Sequence, residues 1–472
     1  MINIFELERL QGRRIYGLWW FPQFSNIKYR GELYIEGESF FIKLFDDQKN
    51  FYNRVGDNID VMLGESEEGR LSLRNGFVKN ETTYHSGRRN FKAILLQFTE
   101  AYFGSHFGQN LETLESISIE SKELSKWLGT YPFEYVKLSN YDKVIAHKNF
   151  KSVSAYVKSM KFKLEIHRLV SESSDETEAT LKSIVSILIT PDSPANIMWY
   201  KPIAKSIQNL LVLLIGGVVP FDRVSALQFF KQDDKEYPWT TEIYGWLRTP
   251  TANDINSHEI IVNLEDVRNK FDSIVNQWFV IEKELAKAVN LFVALFFNKH
   301  LYLESKFIIL MQSIEAFHRQ KFVGKLLPDD EFERVYTKAK EIIESKLKGT
   351  VSQDILERIS QQLHYCNEYN LNKRLKEVLN SLPVSLRTLV TKNPKKFTHL
   401  IVNTRHDMTH PSNKSREKIL KGEALVYANE RLMLLCHILY LRELGVPDEI
   451  IRKGIVRAPT YRFLIEECPD NL

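Results

Sequence analysis

The chain has only three cysteines in 472 residues, Cys366, Cys436 and Cys468, and no two form a CxxC pair. A set so sparse and odd excludes a disulfide framework and a cysteine-rich zinc site, and it suits a reducing compartment. Long apolar runs are missing too. The most lipid-like stretch, Leu210 to Val219, is interrupted by Gly216 and Gly217. A membrane span needs about 20 apolar residues, so this stretch reads as a buried core element. The opening residues MINIFELERL carry acidic side chains and no apolar signal core, so the expected location is the cytoplasm. Excess charge of one sign is also lacking: 64 Lys and Arg oppose 60 Asp and Glu, a net charge of +4. That balance excludes a uniformly polybasic protein but averages over any local patch.

Several familiar chemical motifs are absent. There is no Walker-type GxxxxGKS/T loop, no GxGxxG turn after a strand and no GxSxG elbow. Those absences argue against a P-loop NTPase, a dinucleotide-binding enzyme and an α/β-hydrolase. What is present is an ordinary globular composition, 43% hydrophobic and 26% charged, long enough for two or three domains.

From Arg13 to about Ile189 the sequence has the texture of β-structure. Short runs such as Leu33-Tyr34-Ile35, Phe40 to Phe45, Leu71-Ser72-Leu73 and Phe91 to Phe98 alternate or carry aromatic and β-branched residues. Turn residues such as Glu68-Gly69 and Asn75-Gly76 separate them, which predicts a sandwich or barrel. The aromatics Trp19, Trp20, Phe21 and Phe24 read as core. Pro191-Asp192-Ser193-Pro194 suits a domain edge. Beyond it, Ile203, Ile207, Leu210, Leu211 and Leu214 recur at helical spacing. From Leu264 onward amphipathic helices dominate, the last spanning about Glu423 to Leu444 and stopping at Gly445-Val446-Pro447. The reading is an α+β chain: a β-rich sandwich or barrel-like domain over 1–190, a mixed connecting region over 191–263 and an all-α domain over 264–472.

The unusual segment runs from Asn393 to Pro411. Pro394 suits a first helical turn, and Phe397, Leu400, Ile401, Thr404 and Met408 share one face. Pro411 disfavours helix at His410, so the helix ends with Arg405, His406, Asp407 and His410 crowded beside a turn. An unbroken helix would set Arg405 and His410 about 140° apart. One shared site therefore requires the helix to unwind before His410, or the pair to cooperate across a dimer. The charge is local as well. Between Ser385 and Lys421 nine basic residues, among them Lys392, Lys395, Lys396, Lys414, Arg416 and Lys418, face only Asp407 and Glu417. Such a patch attracts phosphates, and the rest of the chain is slightly acidic.

Arg405-His406-Asp407-Met408-Thr409-His410 resembles the Arg-x4-His signature of HEPN ribonucleases, in which a polar residue follows the Arg. A helical half behind a β-rich half resembles ApeA-like antiphage proteins in particular, and Leu310 to His318 is similar to the family's early helix with a Glu, here Glu315. Arg358 to His364 and Arg431 to His437 fit the looser Arg-x4–6-His pattern too, but they lie on an amphipathic helix and in a core-like run. The resemblance implies an all-α HEPN-like domain and an endoribonuclease of abortive-infection type. It also implies a homodimer through the helical domain and a regulatory β-half that senses a phage-derived activator.

The residue chemistry fits that implication. RNA carries its own nucleophile, the 2′-OH, so cleavage needs a proton acceptor, a proton donor and charge stabilisation, with no metal or other cofactor. His410 can act as general base or acid, and Arg405 offers an always-charged fork for the phosphorane. His406 is the candidate second acid, Asp407 a group to orient Arg405 or cap the turn, and Glu315 a further site member. The products would be a 2′,3′-cyclic phosphate and a 5′-OH, from a structured RNA such as tRNA. Two alternatives stand beside this reading. One is a non-catalytic RNA-binding or interaction module. The other is a zinc hydrolase in which His406, Asp407 and His410 form H-D-x-x-H, a relative of HExxH.

Overall fold

A computed structural model describes residues 12–46, 54–86, 89–106, 113–137, 143–174, 177, 179–232, 235–247, 255–298, 300–409 and 419–466. The chain forms two compact units, residues 1–257 with 263–276, and residues 258–262 with 277–472.

The first unit is built on six antiparallel strands: β1 (Ile15–Trp20), β2 (Tyr29–Glu36), β3 (Ser39–Asp46), β4 (Asn58–Ser66), β5 (Gly69–Ser86) and β6 (Arg89–Phe103). Their order is β6-β3-β2-β1-β4-β5, and β5 pairs back onto β6, closing a barrel. Closure removes every free edge among these six strands. Alternation sends Leu33, Phe40, Ile42, Leu44, Leu71, Leu73, Leu96 and Phe98 inward around Trp19. Gly64 faces the indole, and a β-carbon there would come within 2.3 Å of its ring. Of the four aromatics read as core, Trp19, Trp20 and Phe21 are buried; Phe24 is exposed.

The last residues of β6 stay paired with β5 and, on their other side, continue the same sheet beyond the barrel. Ala101 to Phe103 pair with β12 (Lys235–Tyr244), and the order continues through β11 (Arg223–Gln232), β7 (Ser116–Glu120), β10 (Ala179–Pro191), β9 (Phe162–Ser174) and β8 (Val153–Val157). Two helices complete the unit's main frame, α1 (Lys122–Trp127) and α2 (Ile197–Ile215). Asn196 caps the start of α2 by accepting from the Trp199 amide, and Gly216 ends it in left-handed geometry, which favours glycine. Trp199 meets Phe162 edge to face, and Lys201 holds Glu100 of β6 at 2.7 Å. The run Leu210 to Ile215 is buried, as its composition predicts.

The sequence boundary at 191–263 is therefore displaced. Pro191 is the last residue of β10, paired with Phe162, while α2, β11 and β12 belong to the first unit. Pro191-Asp192-Ser193-Pro194 turns a corner within that unit, because local turn chemistry marks corners and domain edges alike. The first helical residues after 263, α3 (Leu264–Val267) and the start of α4 (Phe271–Glu284), also pack there; Phe271 lies against Trp127.

The second unit is all-α, as expected. Its helices are α5 (Ala286–Phe297), α6 (Leu303–Lys321), α7 (Asp329–Leu347), α8 (Gln353–His364), α9 (Leu371–Asn380), α10 (Val384–Val390), α11 (Pro394–Thr409), α12 (Glu423–Glu443), α13 (Asp448–Arg457) and α14 (Pro459–Glu466). α12 is the central core helix. By composition it is long and apolar enough to cross a membrane, but 78% of its apolar window is buried inside the fold. The Ser313 hydroxyl contacts both the Ala288 carbonyl and the Tyr440 hydroxyl, tying α6 to α5 and α12.

Candidate active site

α11 begins on an asparagine cap. The Asn393 side chain accepts from the Lys396 amide at 3.1 Å and its carbonyl from the Phe397 amide at 3.0 Å, with Pro394 in the first turn. Phe397, Ile401 and Thr404 are buried, so the apolar face predicted from the sequence is the packing face. That orientation fixes the neighbouring positions. Arg405 emerges at the edge of the buried face with its side chain 32% exposed, and His406 points to solvent. Asp407 and Met408 are half-buried. The Thr409 hydroxyl donates to the Arg405 carbonyl at 3.0 Å, closing the last turn.

Arg405 and Glu315 are brought together. One guanidinium nitrogen of Arg405 stands 4.0 Å from Glu315 Oε2, across from α11 to α6. At that distance the pair is a loose ion pair rather than a locked hydrogen bond, which leaves Arg405 free to engage an anion. Lys392, Lys395 and Lys396 are exposed at the other end of α11. With a rise of 1.5 Å per residue, Lys395 lies about 15 Å along the axis from Arg405, so the helix does not gather these lysines at the guanidinium. His410, Lys414, Arg416 and Lys418 lie outside the described residues. The chain returns at Leu420, whose amide donates to Thr404 Oγ1 at 3.0 Å.

Of the two other Arg/His pairs, that of Arg431 and His437 is structural. Arg431 is buried and donates to the Val390 carbonyl, and buried His437 meets the Tyr461 hydroxyl. His364 packs edge-on against Tyr336 at the surface of α8. Among the described residues no group of three or more His, Cys, Asp or Glu gathers as metal ligands.

Sequence reading missed the polar row behind Glu315. Arg319, one turn along α6, donates to Glu315 Oε1 at 3.2 and 3.3 Å and to Glu368 Oε2 at 3.0 Å. Glu368 also accepts from Arg374 at 2.9 Å. The Arg374 side chain is 5% exposed and is held by the Tyr369 carbonyl and by His318 Nδ1 at 3.1 Å. An arginine only donates, so Nδ1 of His318 is unprotonated and Nε2–H donates to Glu377 at 2.7 Å. Burial pushes the His318 pKa down, outweighing Glu377. Burial alone would lower the Arg319 pKa as well, but Glu368 and Glu315 raise it overall. The only local signal for this row was the Glu315–Arg319 spacing, which on a bare helix is an ordinary surface pair.

Comparison with known families agrees with this division of the chain. Residues 14–278 match the ApeA N-terminal domain 1 and residues 308–450 match the ApeA-like HEPN domain. The first match ends two residues beyond the first compact unit, and the second spans both Glu315 and Arg405. No curated protein and no solved structure matches the chain. With a β-rich first unit and a helical second unit each matched by the corresponding ApeA domain, the chain belongs to the ApeA family.

Proposed function

We propose that this protein is a cytoplasmic antiphage endoribonuclease that cleaves RNA without a metal, by attack of the 2′-OH on the adjacent phosphate. The observation that carries the reading is the half-exposed Arg405, oriented by the buried face of α11 and set 4.0 Å from Glu315 within the segment matched by the HEPN domain.

In this mechanism the Arg405 guanidinium lies against the non-bridging phosphate oxygens and neutralises the charge that builds on the phosphorane. His410, next in sequence after the last residue of α11, takes the 2′-OH proton as general base. His406 is the candidate acid that protonates the departing 5′ oxygen, leaving a 2′,3′-cyclic phosphate and a 5′-OH. Asp407 caps the turn or orients Arg405. A homodimer formed through the helical unit brings two motifs to one cleft, and the β-rich unit responds to a phage-derived activator. A structured RNA such as tRNA is the proposed substrate.

The test compares wild type with Arg405→Ala and His410→Ala, measuring phage restriction in cells and RNA cleavage in EDTA. Arg405→Ala is expected to lower cleavage about 10²- to 10³-fold, and His410→Ala about 10²- to 10⁴-fold. Normal cleavage by both variants would place the chemistry elsewhere. RNA bound but never cut by activated wild type would favour the non-catalytic reading, and cleavage lost in EDTA would favour the zinc reading.

A further inference from the structure

Arg319 begins as an unremarkable residue, an i,i+4 partner of Glu315 on α6. Its surroundings make it something else. Two carboxylates from different parts of the fold hold it, Glu315 on one side and Glu368 on the other. Glu368 is itself fixed by Arg374, whose guanidinium is anchored in the interior on Tyr369 and His318. An exposed arginine normally loses rotamer freedom when it binds an anion. Arg319 has already lost it, yet its side chain remains 49% exposed.

The signs along the row matter. Arg405, Glu315, Arg319, Glu368 and Arg374 alternate, and Glu377, reached through His318, answers the third arginine. The Glu315 oxygens divide their work, Oε1 taking Arg319 and Oε2 facing Arg405. Glu315 is thus a strut between two guanidiniums and, shared by both, does not repel an incoming anion as a lone carboxylate would. One inner cation, Arg374, is walled off by burial; the two that reach solvent flank the same carboxylate.

We propose that Arg319 is a second phosphate-binding guanidinium of this site, taking an RNA phosphate adjacent to the one engaged by Arg405. The inference rests on the reading of the Arg405 motif as a ribonuclease centre. Its chemistry is that of a polyanionic backbone rather than a single nucleotide: two exposed cations flank one carboxylate, and each can take its own phosphate.

The experiment measures binding of a 2′-O-methylated RNA oligonucleotide to the full-length protein across a salt series. That probe lacks the attacking hydroxyl, so it is bound and not cut. Arg319→Gln should weaken binding roughly three- to tenfold near physiological salt and reduce the slope of log K against log salt by about 0.7, the loss of one phosphate contact on a single strand. Arg319→Lys, which keeps the charge, should retain the slope. Lys338→Gln, a loss of charge on the exposed side of α7, should leave it unchanged, and thermal melting should be the same for all. An unchanged slope in Arg319→Gln overturns the inference, whatever happens to cleavage, because a merely structural Arg319 predicts that result. Failure of the wild type to bind the probe overturns it as well. If Arg405→Ala abolishes cleavage while Arg319→Gln keeps the wild-type slope, only this inference falls. If Arg405→Ala cleaves normally, the ribonuclease reading falls first.

Discussion

The Leu420 amide donates to the hydroxyl of Thr404, one residue before the candidate catalytic Arg405. Thr404 is fully buried and its hydroxyl donates in turn to the Leu400 carbonyl at 2.8 Å. One side chain therefore pins the returning chain to the turn of α11 that aims the guanidinium.

Thr404→Val keeps the shape of that side chain and removes the oxygen. The Leu420 amide then loses its partner, at a cost of about 1–3 kcal/mol, readable by urea unfolding. Thr404→Ser should restore most of it. RNA cleavage should fall further in Thr404→Val than the loss of folded protein accounts for, since Thr404 directly precedes Arg405 on the turn that aims the guanidinium. Equal losses of cleavage and folded fraction would contradict that expectation.

His318 makes the helical unit sensitive to acid. The groups that face it are Glu377, Arg374 and Arg319, and burial holds its folded pKa below the ordinary value of 6.5. Between the folded and the unfolded pKa the unfolded chain binds the extra proton, so stability is full above about pH 6.5 and falls as the pH drops below it. The slope from this one group is at most about 1.4 kcal/mol per pH unit. His318→Gln should flatten that part of the stability curve while lowering stability at neutral pH. A stability curve identical in shape to wild type between pH 5 and 7 would remove His318 as its source.

The barrel has its own test. Gly64→Ala forces a methyl group into the Trp19 ring, and overpacking of this kind costs about 1–3 kcal/mol. Because the two positions touch, Gly64→Ala combined with Trp19→Leu should cost less than the two single losses added together. Additive losses would mean that the ring and the glycine do not share the space.

The two described cysteines should separate cleanly in a thiol-labelling assay. Cys366 is exposed, whereas burial pushes the Cys436 thiol up to about 12. Native protein should expose Cys366 to alkylation within minutes and protect Cys436 until it unfolds. Early modification of Cys436, located by peptide mapping, would show that the α12 core opens.

How far the sequence carried this structure depends on the range of the interactions. The inward alternation of β2 and β3, the packing face of α11 and the buried character of α12 are local patterns, and all were readable. Closure of the barrel was not, since it depends on β5 pairing with β6 over its whole length. Nor was the continuation of that sheet beyond the barrel, which requires Phe103 to meet Glu242. By contrast, α7 shows helical spacing in Phe332, Tyr336, Ala339, Ile343 and Leu347, yet it has no buried residue among its 19. In the candidate site, Arg405 and Glu315 could be named separately from motif and helix pattern. The row from Arg319 to His318 could not, because Glu368 and Arg374 reach it only through tertiary packing.

The way the first unit is laid out along the chain also sets an order of events during synthesis. The barrel is complete in sequence by Phe103, and the unit's last residue, Asn276, precedes Arg405 by 129 positions. At ordinary rates of translation that separation is on the order of ten seconds, ample for a β-structure that folds in milliseconds to seconds. The nascent protein therefore carries a finished β-rich unit before the ribosome has made the arginine on which the proposed chemistry depends.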